Sequence, residues 1–214
     1  MKRIELIEHY LDELFPNPKC ELNYSKDYEL LISVMLSAQT TDKRVNEVTK
    51  ALWNKYNTLE SIKQADINDL KSILRPLGNF NKKAVYTKEI CTALVDKYNG
   101  IMPRKRKDLE SLPGVGRKTT NVVFAELDIE PQIAVDTHVE RVSKRLDMAK
   151  YEDDVLTIEK RLRKIFKRIN WSKRHLQLVL FGRYKCKAIS PDCMNCNLKN
   201  ICRYYKTMAK SPKR

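Results

Sequence analysis

The chain has 214 residues, 42% of them hydrophobic, with only five glycines and a formal net charge of +15. That length allows one large domain or two small ones, and that apolar share excludes wholesale disorder. No apolar run approaches the roughly 20 residues that span a bilayer, which excludes a membrane-spanning helix, and glycine well below its average of about 7% turns the reading toward helices.

In chain order, MKRIELIEHYLDELF alternates apolar and charged residues at helical spacing. It predicts a helix over 2–15 that ends before Asn17-Pro18. The acids in it argue against a secretory leader, so the protein is expected in the cytoplasm or at the nucleoid, with its cysteines reduced or metal-bound. YELLISVMLSA (28–38) is nearly all apolar and too long for a typical strand, hence a buried helix. Thr41 or Asp42 can cap the next helix, through about Tyr56. Shorter helices follow at 59–64 and at 67–75, the latter capped by Asp66. Residues 82–98 place Tyr86, Ile90, Leu94 and Tyr98 four apart and stop at Asn99-Gly100. Helices near 106–111, 117–127, 138–147, 152–168 and 173–185 complete the series. The best strand-like run, QIAV (132–135), is too short to build a sheet, so the fold class is all-α. No linker, repeat or low-complexity tract divides the chain.

Charge is distributed unevenly. Residues 160–214 hold seventeen of the 42 Lys and Arg and one of the 27 acids, Asp192, a net +16 that leaves residues 1–159 at −1. Such a segment suits a polyanion; the plainer alternative is a charge that serves solubility. A second basic run, PRKRK (103–107), precedes Asp108 and Glu110 and reads as a solvated loop, a nuclear address or a phosphate-facing edge.

Two of the five glycines fall in LPGVGRKTTNVV (112–123), as Gly114 and Gly116, between two predicted helices. Glycine tolerates positive φ and lets another backbone come close. A tight turn at a helix start presents unpaired N–H groups and the positive end of the dipole, a seat for phosphate. Such a hairpin grips a DNA backbone without reading sequence; an ordinary helical corner would also use glycine. Lys118 follows the turn, as phosphate-binding cation or as nucleophile.

Cys186, Cys193, Cys196 and Cys202 form C-x6-C-x2-C-x5-C. Four thiols this close in an intracellular protein indicate metal, and zinc or a [4Fe-4S] cluster is equally served by four cysteines. Cys20 and Cys91 lie far off and read as small buried residues.

The hairpin, with LSAQTTD (36–42), AVDTH (134–138) and the four cysteines, resembles the endonuclease III family of DNA repair glycosylases, over nearly the whole chain. The resemblance implies a two-lobed helix-hairpin-helix fold. Residues 20–130 would form a six-helix domain, and residues 1–19 with 131–214 a helical domain bearing a [4Fe-4S] cluster on Cys186, Cys193, Cys196 and Cys202. It implies a bifunctional enzyme of base excision repair. The enzyme would remove oxidised pyrimidines from double-stranded DNA and cleave abasic sites by β-elimination through a lysine Schiff base. Lys118 would be the nucleophile and Asp136 its assisting carboxylate, the two meeting between the lobes. Asp136 also reads as a helix cap, and His138 as a hydrogen-bonded structural histidine. Gln39 takes the position that fills the vacancy left by a flipped base. Asn79, in PLGNFNKKA (76–84), takes the position that wedges the opposite strand, where the family often has a larger apolar residue; Phe80 is the alternative. Gly114 and Gly116 would hold phosphate, as would Lys185, Lys187, Lys199 and Arg203 around the cluster loop. A monomer is expected.

Two other readings compete. A mismatch glycosylase without lyase activity leaves Lys118 unexplained. A non-enzymatic DNA-binding or redox module accounts for charge and cysteines but gives Lys118 and Asp136 no joint role.

Overall fold

The computed structural model describes residues 2–210, with side chains through residue 208. Residues 211–214, with two of the seventeen C-terminal cations, lie outside the described residues. Among the described residues there are twelve α-helices, short 3-10 and π turns, and no strand; QIAV lies in a stretch that is neither helix nor strand. No helix among them is long and apolar enough to cross a membrane. The chain divides into two compact units, Glu21–Val123 and Met1–Cys20 with Phe124–Arg214.

The Glu21–Val123 unit is built around α2 (Asp27–Leu36), in which every residue from Glu29 to Leu36 is buried. A helix apolar on all sides must sit in a core, and its Leu30, Leu31, Ile32 and Leu36 each contribute roughly 1.5–3 kcal/mol by burial. α3 (Asp42–Lys55) and α6 (Phe80–Tyr98) pack against it, α4 (Leu59–Gln64) and α5 (Ile67–Leu74) pack against α6, and α7 (Arg106–Glu110) follows in the chain. Caps set the starts: Thr41 accepts from the Arg44 N–H, Thr58 from Ser61, and Asp66 from Asn68 and Asp69. The spacing predicts α6 from residue 82, but it begins at Phe80, because Asn79 turns the chain in a left-handed conformation just before it. α8 (Arg117–Glu126) carries the chain into the other unit.

The second unit packs α1 (Arg3–Leu14), α9 (Thr137–Arg145), α10 (Val155–Ile165), α11 (Trp171–Leu180) and α12 (Arg203–Lys210) around Ile7, Leu11, Val139, Val142, Ile158, Leu162, Leu178 and Phe181. Arg174 joins α11 to α1. Its Nε donates to Glu8 at 3.1 Å, and its Nη1 and Nη2 donate to the Asp12 carboxylate at 2.8 and 3.0 Å. Gln177 donates to the carbonyls of Leu11 and Phe15 at the end of α1.

Boundaries moved here for local reasons. Asp154 caps α10, which therefore starts at Val155 and not at 152, and a 3-10 turn at Arg168–Asn170 separates it from α11. The helix expected over 173–185 ends as an α-helix at Leu180 and widens into a π turn, Phe181–Lys185. There Gly182 faces α9 so closely that a Cβ would stand 2.8 Å from His138 Cβ. α12, absent from the sequence reading, packs Tyr204 and Tyr205 against this core.

Candidate active site and metal centre

The hairpin joins α7 to α8. Leu109, Leu112, Val115 and Val123 bury its inner side. Arg106 stitches the two helices outside, donating to Glu110 at 2.7 Å and to Asn121 Oδ1 at 2.8 Å. Gly114 has φ +73, and a Cβ there would meet Tyr86 Cδ2 at 2.6 Å and Met35 Cγ at 3.2 Å, so backbone and packing both demand glycine. At Gly116 a Cβ would meet nothing within 4 Å; the interior does not require glycine there. Lys118 follows in the first turn of α8, exposed. The first N–H groups of a helix lack intrahelical partners, so an amine and backbone donors sit together on an open face.

Asp136 caps α9, accepting from the Val139 N–H at 2.8 Å, and is half-buried. This leaves its second oxygen outside that cap bond. His138 Nδ1 stands 3.1 Å from Arg141 Nη2; since a guanidinium only donates, Nδ1 accepts and any proton of the neutral ring is on Nε2. Lys118 belongs to one unit and Asp136 to the other.

Gln39 and Asn79 are exposed and both left-handed, at φ 57° and 58°. Asparagine tolerates that region better than most side chains, which gives a backbone reason for Asn79 where a larger apolar residue is expected. Phe80 is only half-buried, at the start of α6.

The four cysteines come together. Cys186, Cys193, Cys196 and Cys202 line one cavity, about 350 Å³ of free space counted out to solvent, with Leu146, Phe181 and Tyr205 among its walls. None is in a disulfide. Among the described residues no three His, Cys, Asp or Glu side chains converge as ligands for a single ion. Burial pushes the Cys193 and Cys196 thiols up, and the neighbouring thiols add to this. Arg145, itself buried, donates to Cys186 Sγ at 3.4 Å and to the Lys187 carbonyl at 2.6 Å, and its guanidinium lies 4.0 Å from the Tyr204 ring centre. Arg141 donates to the carbonyls of Gly182 at 2.7 Å and Cys186 at 3.2 Å. The donor set suits a metal cofactor: soft ligands, no competing disulfide and a cation beside the sulfurs.

The cations around this loop are mostly engaged. Lys185 pairs with Asp192 at 2.6 Å, Lys199 donates to the Met194 carbonyl at 3.1 Å, and Arg203 pairs with Asp147. Lys187 is exposed. Cys91 is fully buried, its thiol pushed up to about 12 by burial, which makes it inert. Cys20, expected buried, is half-buried at the end of its unit's N-terminal segment. The sequence reading did not single out Arg141, Arg145 or Lys83. The last carried a signal: Lys83, Thr87, Ile90 and Leu94 occupy one helical face whose other members are buried.

A family model described as HhH-GPD superfamily base excision DNA repair protein matches residues 32–168. Endonuclease III of Bacillus subtilis (strain 168) is 43% identical over 203 residues, covering 95% of this chain and 93% of that protein. Endonuclease III of Escherichia coli (strain K12) is 39% identical over 203 residues, covering 95% of each. A solved structure of a trapped endonuclease III–DNA covalent intermediate, an estranged-adenine complex, matches at a TM-score of 0.92 and 44% identity, over 98% of this chain and 100% of that one. A thermostable thymine-DNA glycosylase shares the fold at a TM-score of 0.84 and 22% identity.

Proposed function

The chain belongs to the endonuclease III family of helix-hairpin-helix base excision repair proteins, DNA glycosylases with abasic-site lyase activity, and from that premise we propose how its own residues divide the work on DNA bearing oxidised pyrimidines. Lys118 is the nucleophile. Its neutral amine attacks the anomeric carbon of a flipped nucleotide, the base leaves with a proton, and the sugar ring opens to a Schiff base on the lysine nitrogen. Loss of a proton from the adjacent carbon then expels the 3′ phosphate. Asp136 offers carboxylate charge to the sugar as it becomes cationic and relays protons. The observation that carries this reading is the exposed amine in the first turn of α8, directly after the glycine turn.

Gly116 and the start of α8 receive a backbone phosphate, and Gly114 holds the turn that presents them. Gln39 enters the stack where the base has left it, and Asn79 acts on the opposite strand. Lys187 is the cluster-loop cation left exposed for phosphate, and Lys185 reaches phosphate from its pair with Asp192. The cofactor is a [4Fe-4S] cluster on Cys186, Cys193, Cys196 and Cys202. The four thiols lining one cavity support this, with Arg145 beside Cys186 Sγ as a cation near the sulfurs. When bound, the cluster cross-links the loop; its role is structural. The enzyme acts at chromosomal DNA, in the nucleoid.

The test is base release and strand cleavage on matched duplexes carrying an oxidised pyrimidine, an intact pyrimidine or an abasic site. The wild type is expected to act on the first and third and to spare the second, and Lys118→Gln to lose strand cleavage on both. Base release with no strand cleavage by the wild type would restore the non-lyase reading.

A further inference from the structure

The two loops read as acting on the base stack meet at one buried lysine to which the mechanism gives no task. Lys83, in the first turn of α6, is 5% exposed. Its Nζ donates to the Ala38 carbonyl at 2.9 Å and to Thr40 Oγ1 at 3.1 Å. Thr40 Oγ1 itself donates to the same carbonyl at 3.4 Å. The ammonium therefore grips the residue before Gln39 and the residue after it. The backbone N–H of Lys83 donates to the Asn79 carbonyl at 3.1 Å, one of the bonds that closes the start of α6 on that loop. Thr87 Oγ1 donates to the Lys83 carbonyl at 2.8 Å and fixes the lysine from behind.

Energetics make this arrangement informative. A buried ammonium is costly, and the two acceptors that meet this one, a backbone carbonyl and a hydroxyl, are both neutral. Burial alone pushes its amine down from the usual lysine range. A methionine would fill the same volume without that cost. Meanwhile Gln39 and Asn79 each hold a left-handed backbone that non-glycine residues avoid unless something fixes it. We propose that Lys83 is a positioning residue that locks the Gln39 turn to the Asn79 turn, so that the two side chains act on the base stack as one unit. The inference rests on reading Gln39 as the residue that fills the vacated place.

Lys83→Met, Gln39→Ala and the double variant are compared in full-length protein loaded with its cofactor. Abasic-site cleavage is measured on duplex and on single strand, and thermal stability alongside. A single strand has no stack to repair, so the ratio of the two rates isolates the stack-filling step. Lys83→Met is expected to lower the duplex-to-single-strand ratio about tenfold, the factor carried by one charge-assisted hydrogen bond. Adding Gln39→Ala should lower it little further, since coupled residues do not act independently. Thr40→Val, which keeps the lysine and removes one acceptor, must shift the ratio in the same direction and serves if Lys83→Met does not fold. Equal loss on both substrates, tracking lowered stability, would reduce Lys83 to a structural residue. Fully multiplicative effects in the double variant would also overturn the coupling. If Gln39→Ala lowers the ratio and Lys83→Met does not, this inference alone falls; if Gln39→Ala leaves the ratio unchanged, the reading of Gln39 falls first and takes this one with it.

Discussion

A side chain at Gly114 would run into Tyr86 and Met35 from a backbone at φ +73, while one at Gly116 would meet no protein atom within 4 Å. The two glycines of one turn thus differ: the protein's own core requires the first and does not require the second. Gly114→Ala should cost about 1–3 kcal/mol of stability through the forced φ and the clash. Gly116→Ala should stay within about 0.5 kcal/mol of the wild type yet weaken DNA binding. Chemical denaturation and binding titrations check both; equal destabilisation by the two would remove the distinction. Asp136 can be dissected in the same way. Asparagine caps a helix about as well as aspartate, so Asp136→Asn should preserve the bond to Val139 and the melting temperature. Single-turnover base release should nonetheless slow by about a hundredfold or more, the usual scale for a lost electrostatic contact in the transition state. Near-normal excision would leave Asp136 a cap and no more.

Among the elements, α1 and α11 are joined by a bonded polar group, Arg174 with Glu8, Asp12 and Gln177. The Arg174 guanidinium, with smaller help from Lys173 and Gln177, holds the Asp12 carboxyl well below the usual carboxylate range. A depressed folded-state carboxyl stabilises the fold above its unfolded value, near about 4, and that contribution fades as pH falls from there through the folded value. Arg174→Met should therefore cost about 2 kcal/mol at neutral pH, and the gap to the wild type should narrow steadily below about pH 4. Melting curves at neutral pH and at about pH 2.5 test it; a constant gap would mean that the arginine stabilises by packing alone. These contacts also mark what the sequence could reveal. Helices with a strong cap and a clear apolar face, α3, α4 and α5, stand where their spacing predicts. Four cysteines around one cavity follow from spacing plus the chemistry of thiols. The π turn before Cys186 did not, because it depends on Gly182 meeting α9 across 40 residues of chain, and pattern reading sees only neighbours. α12 hid in a stretch dominated by cysteine spacing, its tyrosines committed to packing that only the folded loop creates. Lys83 escaped because a lysine is expected to be solvated, and its acceptors lie more than 40 residues away.

For the molecule as a whole, the uneven charge and the hairpin chemistry converge on DNA. Lys160, Lys164, Lys167, Lys187 and Lys206 are exposed, while Lys185, Lys199 and Arg203 are engaged internally. Binding to undamaged duplex should fall at least tenfold between about 50 mM and about 200 mM salt, with a log–log slope near −0.9 for each phosphate neutralised. An affinity flat across that range would remove the argument from charge. The proposed chemistry turns on one bond, between the Lys118 nitrogen and the sugar of a damaged nucleotide. Wild-type protein is incubated with an abasic duplex and borohydride, the reduced adduct is digested, and mass spectrometry locates the modified residue. A single adduct on Lys118 is expected; an adduct on another amine, formed at the rate of strand cleavage, would show that Lys118 is not the nucleophile.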